Sequence, residues 1–189
     1  MMRWLMPKVI ILLVFASLYH FGSAAYIHSK ARVAQWFLDD TWQQSLASKS
    51  IVQPCFWSDT YPVARLQVPR LNQDLVVLFG ASAKVMSFGP GFHPDSSTPN
   101  QMGNTVISGH RDTHFSFLSR AKKGDLIHVQ LSDGSEKTYQ INELRITTPD
   151  DGQWLAQTQE DVLTLITCYP FDAVGKAPLR VVARAQLYN

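Results

Sequence analysis

From residue 61 onward, short apolar and β-branched runs alternate with segments that contain Pro and Gly. The prolines prevent long helices, because proline cannot donate the backbone hydrogen bond that an interior helical turn requires. Short apolar runs between such breaks are typical of β-strands. We predict short helices over Ala83–Ser87 and Phe115–Lys122, and strands over Val63–Pro69, Asp74–Phe79, Asn104–Ser108, Asp125–Leu131, Lys137–Leu144, Val162–Thr167 and Leu179–Leu187.

The way these strands connect indicates a mostly all-β fold. Between two of them lies Ser132–Ser135, and the Asp133–Gly134 pair inside it is typical of a hairpin turn. About seven or eight short strands joined by hairpins and crossovers favour a closed or nearly closed β-barrel. An open β-sandwich is the alternative architecture.

Residues 1–28 have a different pattern, since Val9–Ile27 contains no Asp, Glu, Lys or Arg and is apolar on every side. A helix needs about 20 such residues to cross a bilayer, so we predict an N-terminal transmembrane anchor here. Arg3 and Lys8 precede it and favour a cytoplasmic amino terminus. A cleaved signal peptide that ends near Ser23–Ala25 is the alternative, and either segment would export the rest of the chain.

Residues 29–50 predict an amphipathic helical stalk. An apolar side chain recurs at every fourth position: Ala34, Leu38, Trp42 and Leu46. Such a stripe packs on the folded domain or lies at the bilayer surface. Residues 51–60 then form a linker that contains Cys55, and residues 61–189 form the barrel domain.

Composition narrows the function classes. Hydrophobic residues make up 46% of the 189 residues and charged residues 17%, so the chain can bury a core and is not disordered. The 17 basic and 15 acidic residues give a formal net charge of +2 without a basic run, which argues against nucleic-acid binding. Two cysteines are too few for a disulfide-rich miniprotein or a Cys-rich zinc module. We expect no cofactor: calcium binding is left open by the sequence, but no convincing carboxylate cluster supports it.

Three polar side chains stand where an apolar strand meets a loop. His110 follows the run NTVISG, Cys168 follows VLTLIT, and Arg180 lies at the start of LRVVARAQL. Side chains at strand ends can be exposed and still be held rigidly. A cysteine thiolate is a nucleophile, an imidazolium can protonate a leaving amine, and a guanidinium can hold an oxyanion. Together the three residues indicate acyl transfer through a thioester.

Each of these residues also has a non-catalytic interpretation. Cys168 could be a buried apolar side chain, or it could form a disulfide with Cys55 in an exported chain. His110 and His114 have the i, i+4 spacing of zinc ligands on a helix, although the Glu of an HExxH motif is absent. Arg180 by itself could be a solvated edge residue. Taken one by one, these residues leave open whether the chain is an enzyme or a binding protein.

Three motifs in order resemble the sortase family. They are GNTVISGHRDTHFSFL at Gly103–Leu118, TLITCYPF at Thr164–Phe171 and APLRVVARA at Ala177–Ala185. A TLxTC box with a downstream Arg is specific, and its pairing with an upstream GHRD box is more so. The similarity covers roughly Tyr61–Leu187, and within the family the stretch TCYPFDAVGKAPLR resembles the proteobacterial branch, class GN.

The resemblance implies a fold, a location and an activity. The fold is the eight-stranded sortase barrel, held at the inner membrane with the catalytic domain on the periplasmic side. The activity is cysteine transpeptidation, in which a substrate protein is cleaved at an LPXTG-like C-terminal sorting signal and its acyl group passes to an amine acceptor. A cysteine peptidase or hydrolase on the same barrel, with water as the acceptor, is the alternative.

The resemblance also assigns roles to residues. Cys168 corresponds to the nucleophile, His110 to the general acid and base, and Arg180 to the residue that stabilises the oxyanion. Asp112 and Thr113 follow the histidine and are candidates for supporting it. Thr167 precedes the cysteine and is a candidate for shaping the oxyanion site.

Overall fold

The computed structural model of the protein describes residues 17, 36–53, 60–99, 101–175 and 177–188. The chain divides into two compact units, Met1–Phe37 and Leu38–Asn189, and the second unit contains the β-structure. The predicted transmembrane segment Val9–Ile27 lies outside the described residues, apart from Ser17. In the part of the chain that is described, no helix is both long enough and apolar enough to span a bilayer.

The β-structure of the described residues is a closed barrel. Its eight strands are β1 (Pro62–Val68), β2 (Gln73–Phe79), β3 (Gly91–Phe92), β4 (Gly103–Ser108), β5 (Leu126–Leu131), β6 (Glu136–Thr147), β7 (Asp161–Tyr169) and β8 (Leu179–Leu187). They are hydrogen-bonded in the order β1-β2-β3-β4-β7-β8-β6-β5, with β5 returning to β1. The pairs β2–β3 and β4–β7 are parallel and the other pairs antiparallel. The predicted closed barrel is confirmed, and the open sandwich is wrong.

The helical segments that the structure describes are short. Residues 36–48 are helical and are called α1 here, and α2 spans Ala83–Met86, where the Ser82 side chain caps its first turn. The helix predicted over Phe115–Lys122 is a 3-10 helix over Ser116–Arg120, and further 3-10 turns span Pro69–Leu71 and Gly152–Trp154. The barrel is therefore built almost entirely from strands and the loops that connect them.

Strand β3 is the one element of the barrel that the apolar pattern did not indicate. It has two residues, directly follows Pro90 and is separated from Pro94 by one residue. Such a segment is too short to show a period. Tertiary pairing creates it: Gly91 and Phe92 lie opposite Leu78 and Phe79 on one side and against β4 on the other.

Alternate residues of the strands point inward and form one apolar core. The pattern is clearest in β1, where buried and half-buried positions alternate along the whole strand. Fully buried core side chains come from every long strand: Leu66, Val77, Ile107, Ile127, Ile141, Leu163, Leu165 and Ala183. The opposite faces of the same strands are free to carry polar and reactive groups.

A buried polar contact joins β6 to the start of β7. The Tyr139 hydroxyl oxygen lies 2.8 Å from the Asp161 carboxylate and 3.0 Å from the Pro99 carbonyl oxygen, so its one hydrogen is shared between these two acceptors, and Lys137 pairs with the same carboxylate. Burial, together with the hydrogen bond to Asp161, raises the pKa of the Tyr139 phenol. The phenol therefore stays neutral and serves as a fixed donor between β6 and β7.

From Leu38 onward, helix α1 packs on the outside of the barrel. Leu38 and Trp42 are buried against Val76 and Leu78 of β2 and against Val85 of α2. The amphipathic stripe predicted from the sequence therefore covers the domain over residues 38–46, rather than lying free for a bilayer surface.

Trp42→Ala should lower the free energy of unfolding by about 3–5 kcal/mol, because truncating a fully buried aromatic side chain also leaves a cavity. Urea denaturation followed by far-UV circular dichroism measures the change. Gln43→Ala, at an exposed position of the same helix, is the control and should change stability by less than about 0.5 kcal/mol. Equal effects of the two substitutions would contradict the packing of α1 on β2.

Candidate active site

The register of β7 and β8 places Cys168 directly opposite Arg180. The two strands are antiparallel and pair without a shift from Val162 to Tyr169, with Cys168 facing Arg180 and Tyr169 facing Leu179. Side chains of directly opposite residues project from the same face of a sheet, with Cβ atoms about 4.5–5.5 Å apart. The thiol and the guanidinium are therefore neighbours although 12 positions separate them in the chain.

His110 reaches the same place from the other side of β7. Strand β4 is parallel to β7, with Ser108 opposite Ile166. Beyond that pair, the Gly109 amide donates to the Ile166 carbonyl at 3.1 Å, and the buried Thr167 hydroxyl donates to the Gly109 carbonyl at 2.7 Å. These bonds fasten Gly109, the residue before His110, to β7 beside Thr167, the residue before Cys168.

The three residues line one pocket. Its volume is about 410 Å³, and it is lined by His110, Arg111, Asp112, Cys168, Gly175, Ala177 and Arg180. Cys168 is a free cysteine of intermediate exposure. The Cys168 side chain is therefore not buried in the apolar core. Its possible disulfide partner Cys55 lies outside the described residues.

The guanidinium of Arg180 is held by the backbone that leads into β8. Its Nη1 donates to the Leu179 carbonyl at 2.9 Å and to the Ala177 carbonyl at 3.3 Å. Within the described residues these hydrogen bonds involve Nη1 alone, so Nη2 and Nε stay available as donors in the pocket. Arg180 is thus oriented by the protein and still able to bind an oxygen of a ligand, unlike a solvated edge residue.

A match to a known family accounts for this arrangement. The family model described as a sortase domain matches residues 66–188, more than half of the chain, and includes His110, Cys168 and Arg180. The chain belongs to the sortase family.

Relatives and solved structures agree with this assignment. The chain is 39% identical to Sortase D of Bacillus subtilis (strain 168) over 118 residues. This alignment covers 62% of this chain and 59% of that protein. The solved catalytic domain of B. anthracis SrtD is 37% identical with a TM-score of 0.58, over 68% of this chain and 88% of that one. Pilus-related Sortase C of Group B Streptococcus is 28% identical with a TM-score of 0.62, over 68% of each chain.

The comparisons agree on the fold, but they cover only part of the length of one relative. The mostly-β barrel of eight strands predicted from the sequence is the sortase fold. The chain, however, spans less than two thirds of the length of the B. subtilis relative.

The supporting residues of this sortase take different positions around the pocket. Asp112 lines it and is exposed. Thr113 is exposed, and its carbonyl accepts hydrogen bonds from the amide and hydroxyl of Ser116, which starts the following 3-10 helix. In the described chain no hydrogen bond joins either side chain to His110. Thr167 is buried with its hydroxyl on Gly109, so it fastens β7 to the segment that carries the histidine.

His114 does not form a helical pair with His110. Residues 111–115 are a turn, so the i, i+4 spacing does not place the two rings on one helix face. Burial, and secondly the nearby His110, lowers the pKa of His114. A neutral His114 adds no positive charge next to the imidazole of His110 at neutral pH.

Arg111, Gly175 and Ala177 line the pocket and were missed by the sequence reasoning. Arg111 had an available signal, because it is the third residue of the GHRD box and directly follows His110. Gly175 and Ala177 had none, since small loop residues contribute to a pocket only through the path of the backbone.

The turn after His110 depends on a close approach at Gly109. A Cβ atom on this glycine would lie 2.7 Å from the nearest ring carbon of the fully buried Phe115. The Phe115 amide also donates to the His110 carbonyl at 2.9 Å, which folds the chain back over Gly109.

Gly109→Ala should therefore lower the free energy of unfolding by about 1–3 kcal/mol, the usual cost of overpacking a close contact. Chemical denaturation measures it. Gly152→Ala is the matched control, because a Cβ atom there meets nothing within 4 Å. Equal stability of the two variants would contradict the close packing of Phe115 on Gly109.

Proposed function

We propose that this sortase is a cysteine transpeptidase that cleaves the C-terminal sorting signal of a substrate protein and transfers the acyl group to an amine. The proposal rests on one observation above all: Cys168 and Arg180 are opposite each other on adjacent strands and share a pocket with His110. A nucleophile, an acid–base group and an oxyanion donor in one pocket are the set that acyl transfer requires.

The first half of the reaction forms a thioester. The Cys168 thiolate attacks the scissile carbonyl carbon, and a C–S bond forms as the carbonyl oxygen takes the negative charge. Nη2 or Nε of Arg180 donates to that oxygen, since Nη1 is bound to the backbone. The tetrahedral intermediate then collapses, the C–N bond breaks, and protonated His110 gives its proton to the departing amine.

The second half releases the acyl group. An incoming amine loses a proton to His110, which is now neutral, and attacks the thioester carbonyl. A new amide bond forms as the C–S bond breaks and the thiolate of Cys168 is restored. Each step uses groups of the chain alone, and we propose that no metal or other cofactor takes part. Water in place of the amine would give a hydrolase.

The substrate and the location are parts of the same proposal. The sorting signal is LPXTG-like, and the acceptor is an amine whose identity the pocket does not specify. The N-terminal segment Val9–Ile27 supports an inner-membrane anchor with the barrel on the periplasmic side. The stretch TCYPFDAVGKAPLR supports placement in the proteobacterial class GN branch, and the 39% identity to Sortase D makes class D the alternative.

Cys168→Ala should abolish cleavage of an LPXTG-type peptide, because it removes the only nucleophile of the proposed mechanism. Mass spectrometry of the unmodified protein should show an adduct of the acyl fragment, absent from the variant. With a panel of amines, amide products support transpeptidation, and products of water alone support the hydrolase. Cleavage by Cys168→Ala at the original rate would refute the assignment of the nucleophile.

Arg180→Lys should lower kcat by about 10²–10³-fold, the usual effect of losing one oxyanion donor. A lysine keeps the charge, but all its donors are on one nitrogen, so it lacks the separate Nη2 and Nε donors that the held guanidinium presents to the substrate. Arg184→Lys, on the same face of β8, is the control and should retain activity. Steady-state kinetics measure both, and similar losses in the two variants would contradict a specific role for the guanidinium at position 180.

A further inference from the structure

Arg111 joins two sides of the pocket. It directly follows His110, and its Nη2 group donates to the carbonyl oxygens of Ala173 at 2.5 Å and Gly175 at 2.9 Å. Both acceptors lie in the connection between β7 and β8, which leads from Cys168 to Arg180. One guanidinium nitrogen therefore links the segment that carries the acid–base group to the segment between the other two residues of the site.

Residues 172–175 of this connection have little else to hold them. Val174 is fully exposed, with a relative accessibility of 102%, so apolar packing does not fix this point. Within the described residues, the backbone hydrogen bond from this stretch runs from the Ala173 amide to the Pro170 carbonyl and is long, at 3.4 Å. Gly175 has a φ of +86°, which turns the chain so that two nearby carbonyls face the same donor.

The pair of hydrogen bonds from Arg111 to Ala173 and Gly175, called the clamp below, is well suited to hold the loop. A guanidinium carries two hydrogens on each terminal nitrogen, so Nη2 can serve two carbonyl acceptors at once. Hydrogen bonds from a charged donor are stronger than those between neutral groups. The Arg111–loop contact also lies next to the substrate pocket, because Arg111 and Gly175 both line it.

We propose that Arg111 is a positioning residue that holds residues 172–175 in place as a wall of the pocket and so determines how tightly the sorting signal binds. This inference rests on the proposed transpeptidase function. With the clamp intact, Gly175 and Ala177 present a preformed surface beside the thiol, and the substrate does not have to order the loop when it binds. Without the Arg111 contact, the substrate has to order the loop when it binds, which weakens its affinity. Cys168 and His110 stay fixed by the strands.

The test compares Arg111→Gln, Arg111→Lys and the control Arg120→Gln in the full chain. Arg120 ends the 3-10 helix Ser116–Arg120, and its side chain is exposed, so the control removes the same charge without the clamp. Hydrogen exchange of residues 170–175 reports on the loop. Steady-state kinetics with an LPXTG-type peptide report on KM and kcat separately.

Arg111→Gln should speed exchange in residues 170–175 but not in β7 or β8, and should raise KM about tenfold or more, given the usual strength of charge-assisted hydrogen bonds. We expect kcat to change by less than about threefold, since the strands position the reacting groups. Arg111→Lys should restore part of the loss, and Arg120→Gln should match the unmodified protein.

Unchanged loop exchange and unchanged KM in Arg111→Gln would overturn the proposal. A loss confined to kcat would overturn it as well, because it would place Arg111 in the chemical step instead of in the pocket wall. If the unmodified protein does not react with the peptide, the proposed function fails by itself. The exchange comparison of Arg111→Gln with Arg120→Gln then still decides whether Arg111 holds the loop.

Discussion

The register of β7 between β4 and β8 is the constraint on which the site depends. The strand is parallel to β4 on one side, so the segment with His110 leaves β4 near the Cys168 end of β7, and it is antiparallel to β8 on the other side, which brings Arg180 opposite Cys168. Side chains alternate between the two faces of a strand, so a shift of one residue would turn Cys168 into the core. The three reactive groups meet only in this one register.

Buried polar contacts between the strands hold that register. The Thr164 hydroxyl donates to the Asn104 side-chain oxygen at 2.6 Å, and the amide of the same Asn104 donates to the Trp154 carbonyl at 2.8 Å. A slipped register would leave these buried groups without partners, at a cost of about 1–3 kcal/mol each. The apolar core makes the barrel stable, whereas such polar pairs select one alignment of its strands.

The site divides into a rigid part and a looser part. Cys168 and Arg180 lie within strands, and His110 is bound to them through Gly109 and Thr167. The wall beside them is a loop whose exposed Val174 has no packing role. Reacting groups are thus placed by the barrel, and the surface that a substrate would contact is placed by a few hydrogen bonds from neighbouring segments.

Much of this arrangement was predictable from local signals. The alternation in β1, the apolar run of β7 and the Asp133–Gly134 pair are short-range patterns: the first two are strands, and the third is the turn that joins β5 to β6. The candidates His110, Cys168 and Arg180 stood out because each follows or opens an apolar run. For the same reason β3 was missed, since two residues carry no period and exist as a strand only through their neighbours.

The sequence by itself determined seven of the eight strands, the closed β-fold and the three reactive side chains, because these depend on the period of apolar positions and on residue type. Only the tertiary structure decided which strands are neighbours, that helix α1 covers β2, and that Arg111 reaches the loop after Cys168. Those contacts join residues far apart in the chain. They arise from closing the barrel around one core, and no local pattern encodes the distance between two such residues.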